Sequence, residues 1–258
     1  YPLNLFSKME EYRVNFPVIY YFEVKMAIGI LYGEPGTGKS IKALEAEEEL
    51  LVFDMENRLK QKISKVYPDK LITLLELKIY DKDYNEDKIG SFNVFVKETV
   101  KLRNIKDNFP KTVIVDGIGD LRDYAHEKWC KVENRKKAMN PGDWSGVNDL
   151  VRDALFPLIN WARVNDTHLI LTAQMKDQYT VIEKITGKES VKDGRIPSFK
   201  EFCGYNVDFL IELWQPKEKG KIKPGCYMAT CSKSEAGSWE EDITGKNLWE
   251  LFIEKGIV

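Results

Sequence analysis

The feature that most constrains this chain is the run "MAIGILYGEPGTGKSIKAL", Met26 to Leu44. Met26 to Tyr32 is apolar and reads as a buried parallel strand, while Ile41, Ala43 and Leu44 open a helical pattern. Between them stands Gly33-x-x-x-x-Gly38-Lys39-Ser40, the phosphate-binding loop pattern, in the strand-then-helix setting its chemistry requires. Glycines at 33, 36 and 38 let the backbone turn tightly and aim successive N–H groups at an anion. A helix beginning near Lys39 is expected to add its positive end. Lys39 is placed to reach the β- and γ-phosphates of ATP, and the Ser40 hydroxyl to coordinate Mg²⁺. Gly33, Glu34, Pro35, Gly36, Thr37, Gly38, Lys39, Ser40 and Ile41 are therefore the candidate nucleotide-binding set.

The rest of the chain supplies the sheet such a loop needs. "ELLVFDMENR" and "KLITLLELKIYD" read as further strands, and "FNVFVKETVKLRNI" has helical spacing. "KTVIVDGIGDL" and "THLILTAQ" are buried strands, and Asp149 to Val164 is an amphipathic helix with Pro157 inside it. Lys176 to Lys200 reads as a long loop or hairpin, "VDFLIELWQP" and "GCYMATCSK" as late strands, and "NLWELFIEKG" as a closing helix. Apolar strands alternating with helices imply an α/β fold whose mostly parallel central sheet is covered on both faces. Residues 26–258 are read as one P-loop NTPase domain. Residues 1–25, rich in aromatic and β-branched residues, are an extension: an extra strand or hairpin, an oligomerisation arm, or an accessory leader before Met26.

A triphosphate site needs a second group for the metal, and Asp116 at the end of "TVIVD" fits the Walker B aspartate, on a strand expected beside the P-loop strand. Asp120 reads as the N-cap of the next helix. Many AAA-type ATPases carry a glutamate directly after the Walker B aspartate, but Gly117 stands there. The water-activating acid must come from elsewhere. "LLVFDMENR" puts Asp54 and Glu56 past the end of the second strand, where both are expected to face the nucleotide from the sheet's carboxyl edge. Glu56 is the candidate base and Gln174, at the end of "HLILTAQ", a candidate γ-phosphate sensor; a plain polar strand exit is the other reading of Gln174.

With these residues in place the chain resembles the RecA-like ATPases, and among them the compact RecA-core proteins of phages and archaeal viruses. The match runs from Met26 to about Lys233 through "GEPGTGKS", "DMEN", "VIVDGIGDL" and "TAQ". The resemblance implies a RecA-type sandwich, ATP hydrolysis, and action on DNA in recombination or single-strand annealing. It implies that Lys39, Glu56 and Gln174 are catalytic, and that Ser40 and Asp116 hold the metal. It also implies a homo-oligomer in which a late-strand basic residue, here Lys233, reaches the neighbour's ATP. The family often has two basic residues there, whereas Glu235 follows here, so an exposed lysine is the other reading.

Two segments could touch a polymer. "HEKWCKVENRKKAMNPGDW" concentrates Lys128, Lys131, Arg135, Lys136 and Lys137 beside Trp129 and Trp144, and the stretch 175–200 carries Tyr179, Arg195 and Phe199. Basic groups would neutralise phosphates while aromatics stack on bases of single-stranded DNA. A net charge of −2 requires such local patches, since the chain has no global positive field. Four cysteines without a CxxC pair fit a reduced, cytoplasmic setting, or the host cytoplasm for a viral protein. No apolar run approaches the roughly 18–20 residues of a membrane helix. A DNA-packaging motor and a non-hydrolysing nucleotide switch that binds a protein are the rival readings.

Overall fold

The computed structural model describes residues 26–138, 140–184, 187–197, 207–218 and 220–258, with side chains for all of these except 141, 177–184 and 187–195. The N-terminal extension, residues 1–25, lies outside the described residues.

Eleven strands and six helices are described. β1 (Ile28–Gly33) leads into α1 (Lys39–Ala43), β2 (Leu50–Asp54), α2 (Leu59–Val66) and β3 (Ile72–Glu76). α3 (Lys88–Arg103), β4 (Thr112–Asp116), α4 (Ile118–Val132) and α5 (Pro141–Val164) follow. β5 (His168–Lys184) and β6 (Gly187–Pro197) form a hairpin, and β7 (Phe209–Trp214) returns to the sheet. A small ribbon of β8 (Lys217–Glu218) and β9 (Lys221–Ile222) precedes β10 (Met228–Lys233), β11 (Trp239–Asp242) and α6 (Leu248–Glu254). The main sheet runs β11-β10-β7-β1-β5-β4-β2-β3, and β6 pairs with β5. From β7 to β3 every pairing is parallel; β10 and β11 close one edge antiparallel.

Two-residue periodicity sorts the strands onto two cores. Ile28, Ile30, Val113, Val115, Leu169 and Leu171 point to the layer of α3, α4 and α5. Leu31, Val52, Ile114 and Ile170 point to the opposite layer, with Leu59 of α2 and Trp249 and Phe252 of α6. Each strand is thus apolar on both faces, which is why the sequence reads as continuous hydrophobic runs. This is the α/β fold of P-loop NTPases, as the sequence implies.

Two expectations change, and one open alternative is decided. The Walker B strand is not beside the P-loop strand: β5 lies between β1 and β4. Strand order depends on crossover connections that no single run encodes. The helix expected at Asp149 starts at Pro141, with Asn140 and Asp143 forming a reciprocal capping box; Asn-Pro with Asp two residues on was the available signal. Pro157 lies inside that helix without ending it. Of the two alternatives for the stretch after Gln174, loop or hairpin, the structure has the hairpin, since β5 continues to Lys184 and pairs antiparallel with β6.

One close approach holds β1 against β7. Gly29 pairs with Phe209, whose fully buried ring occupies the space a side chain at 29 would need: a Cβ there would lie 1.9 Å from ring carbons. The same ring packs on Phe252, 5.0 Å between centroids. Gly29→Ala is therefore expected to cost about 1–3 kcal/mol by overpacking, read as a lower urea midpoint at unchanged m-value.

Candidate functional site

The parallel register carries the ends of four strands to one edge. Gly33 of β1 lies level with Gln174 of β5, and Asp54 of β2 with Asp116 of β4. Beyond this edge is a cavity of about 470 Å³ lined by Lys39, Ser40, Glu56, Asp116 and Gln174 together. Five residues from four stretches of sequence meet there.

The phosphate loop is closed by Thr37, whose hydroxyl donates to the Glu34 carbonyl at 2.9 Å. Gly36 (φ 84°) and Gly38 (φ 86°) both take left-handed backbone, which turns the loop and which a side chain would strain. Lys39 Nζ donates to the carbonyls of Gly33 (3.1 Å) and Glu34 (2.9 Å), so its ammonium is held at the loop mouth. Burial pushes its pKa down, while the carboxylates of Asp116 and Glu56 pull it back up. α1 is only five residues long, so the expected contribution from a helix end is small, and the loop amides and Lys39 carry the anion field. The chain must reach β2 at Leu50 shortly after Ala43, which leaves no room for more turns.

Asp116 is buried, 6 % exposed, at the cavity floor. The Thr172 hydroxyl donates to its Oδ1 at 2.6 Å and accepts the Gly117 N–H at 3.0 Å. Burial raises its pKa, opposed by hydrogen bonds from Thr172 and Ser40; the charges of Asp54 and Glu56 push it further up. Ser40 and Asp116 line the same cavity, two hard oxygen donors of the kind that suits Mg²⁺ when phosphates and water complete its shell. Among the described residues no group of three or more His, Cys, Asp or Glu side chains could hold a metal on its own. Thr172 is the residue that sequence reasoning undervalued; its place two residues before Gln174 was the only hint.

Asp54 and Glu56 have different fates. Asp54 is fully buried and does not face the cavity, contrary to expectation. Its carboxylate accepts the N–H groups of Glu56 (3.1 Å) and Leu59 (2.8 Å) and so shapes the turn that presents Glu56. Asn57, at φ 53°, locks the same turn by exchanging two hydrogen bonds with the backbone of Lys78. The Tyr124 hydroxyl of α4 donates to the Met55 carbonyl at 3.0 Å. Glu56 itself is ion-paired with Arg58 at 2.9 Å. The acid candidate is rigidly mounted, and its carboxylate has a cationic neighbour.

Asp120 is not the N-cap. Gly117 (φ 91°) takes that position, and Asp120 sits in the first turn of α4, on the cavity wall. Burial and the nearby charges of Glu56 and Asp123 lift its pKa from 3.8 to about 6, with Lys78 opposing.

The remaining candidates scatter. Gln174 is exposed at the cavity rim. Lys233 Nζ donates to the Val207 carbonyl of its own chain. Residues 126–144 are not a loop but the end of α4, a turn and the start of α5. Lys128 lies against the Phe92 ring and donates to Asn93, and Arg135 pairs with Asp143 at 2.7 Å. Lys131, Lys136 and Lys137 are exposed. Arg195 is on β6, and its side chain lies outside the described part. A wider groove of about 830 Å³ between α3 and α5, floored by Phe156 and Trp161, holds none of the candidates. No helix of the described residues is long and apolar enough to cross a membrane.

The fold and this edge define a P-loop NTPase. The sequence matches the AAA domain family over residues 25–205, more than half of the chain, and the chain belongs to that family. No curated protein matches it. Family membership implies nucleotide binding and suggests ATPase activity.

The raised pKa of Asp120 has a stability consequence. Between 3.8 and about 6 the folded chain holds a proton that the unfolded chain releases, so this group's contribution to stability falls as pH rises through that window. Asp120→Asn removes the penalty. Its urea midpoint relative to the parent is expected to be higher at about pH 8 than at about pH 4, in parallel denaturation curves.

Proposed function

We propose that this protein is a Mg²⁺-dependent ATPase of RecA-like type that couples hydrolysis to the handling of DNA as a homo-oligomer. The observation that carries the first half is the single cavity shared by Lys39, Ser40, Asp116, Glu56 and Gln174. In this reading the loop amides from Gly33 to Ser40 and the Lys39 ammonium bind the β- and γ-phosphates. Ser40 and Asp116 hold Mg²⁺, which when bound supplies charge neutralisation to the phosphates. Thr172 keeps Asp116 aimed at the metal position through its short hydrogen bond. Glu56 orients the attacking water and takes its proton in an in-line displacement, and Gln174 contacts the γ-phosphate region.

The DNA half rests on the β5–β6 hairpin, which continues directly from Gln174, and on exposed Lys131, Lys136 and Lys137. A hairpin rooted at a phosphate-sensing position would move with the state of the nucleotide. The Glu56–Arg58 ion pair favours a second reading, in which Glu56 is held away from water and the chain is a nucleotide switch.

One steady-state ATPase assay with parallel binding measurements separates these. Lys39→Ala is expected to abolish measurable ATP binding, whereas Glu56→Gln should retain affinity and lose about 10²–10⁴ in turnover. Unchanged turnover in Glu56→Gln would remove it from the mechanism; no turnover in the parent protein would leave the switch. Single-stranded DNA should stimulate hydrolysis with a steep decline as salt is raised, and indifference to every nucleic acid would remove the DNA half.

A further inference from the structure

Four cations line the cavity, and three are accounted for. Lys39 is bound to loop carbonyls, Arg58 is paired with Glu56 and largely exposed, and Lys62 is an exposed lysine on α2. The fourth is Arg122, on the second turn of α4, and it is placed differently. Its guanidinium lies over the Trp144 ring of α5, 4.7 Å from the ring centroid. Its Nε is buried and has no hydrogen-bond partner among the described residues. It makes no ion pair with a described carboxylate, although Asp116, Asp120 and Asp123 line the same cavity.

A half-buried guanidinium that stacks instead of pairing is an unusual arrangement in a chamber with four carboxylates. Stacking fixes the plane of the fork and leaves its N–H groups to an outside acceptor. Because a guanidinium keeps its charge at any working pH, that acceptor should be anionic, and a forked donor matches phosphate oxygens bidentately. The cavity it lines is the one that holds the phosphate loop, and Gly119, Gln174 and Met175 line the same cavity. Trp144 is held in turn by His126, stacked at 5.3 Å and 20° between ring planes. The ring is a fixed platform.

Resting on the nucleotide reading above, we infer that Arg122 is a catalytic residue supplied from within the same chain, which contacts the terminal phosphate of a bound nucleoside triphosphate, and that Trp144 is its positioning residue. The guanidinium stabilises charge on the transferring phosphoryl group, where an N–H donor fixed in advance contributes most. The diphosphate product lacks that group, so the contact distinguishes triphosphate from diphosphate.

The test is a comparison of ATP and ADP affinities, by calorimetry with Mg²⁺, and of kcat and KM, in full-length Arg122→Ala, Arg122→Gln, Arg122→Lys and Trp144→Phe. Expected is an ADP affinity within about twofold of the parent in every variant, which also reports a folded phosphate loop. Arg122→Ala and Arg122→Gln should lose about tenfold or more in preference for ATP over ADP, or about 10²-fold in kcat. Arg122→Lys should rescue little, because an ammonium keeps the charge without the planar stack, and Trp144→Phe, which offers a weaker stacking face, should lose an intermediate share of the same discrimination or kcat. An unchanged ATP-to-ADP ratio and unchanged kcat in Arg122→Gln would overturn the inference and leave the nucleotide site standing. Equal loss of ATP and ADP binding in Arg122→Gln would also overturn it, as would lost single-stranded DNA affinity with intact nucleotide discrimination. A parent protein that binds neither nucleotide would overturn both readings at once.

Discussion

The position of β5 between β1 and β4 governs the rest of the molecule. Its backbone pairs with both strands, so it sets the height of the P-loop strand against the Walker B strand and the distance between them. From that position the Thr172 hydroxyl bridges Asp116 and the Gly117 N–H, joining a strand end to the first turn of α4. Removing β5 from this place would leave β1 and β4, which carry the phosphate loop and Asp116, with no common neighbour. The hydrogen-bonded ladder, rather than any side-chain contact, makes the cavity.

Around that ladder the structure uses burial to tune charge. Asp116 and Lys39 are opposite charges in a partly desolvated chamber, each shifted toward neutrality by burial; Lys39 is restrained by the carboxylates of Asp116 and Glu56, and Asp116 by hydrogen bonds. Burying such a pair is costly, and the cost is offset by backbone carbonyls around Lys39 and the Thr172 hydroxyl at Asp116. Asp54 is the more extreme case. It is fully buried beneath the "DMEN" turn, its charge met by successive backbone N–H groups, so that Glu56 rather than Asp54 reaches the cavity. One carboxylate builds the turn and the next presents chemistry.

The cavity wall formed by the start of α4 carries groups that no short motif announces. Arg122 and His126 are four residues apart on α4 and therefore share a face, which Trp144 of α5 covers. Arg122 and Asp120 together give this wall both signs of charge, and that mixture suits a ligand whose own charge is spread over phosphates and a metal. The basic residues further along, Lys128 and Arg135, are instead tied into helix packing.

The sequence by itself determined the phosphate loop, the apolar strands and the two-sided sheet, because each is a local pattern: glycine spacing, a run of β-branched residues, a cap followed by a helix. It also marked Asp116, Glu56 and Gln174 as strand-end polar groups, since a polar residue closing an apolar run is visible without neighbours. Tertiary structure alone decided that β5 lies between the P-loop and Walker B strands, that Asp54 is buried while Glu56 is presented, and that Asp120 yields the cap to Gly117. It alone brought Arg122 onto Trp144, 22 positions away in the chain. These depend on which strands pair and which helix faces meet, a choice made by burial of the whole core that no window of neighbouring residues contains.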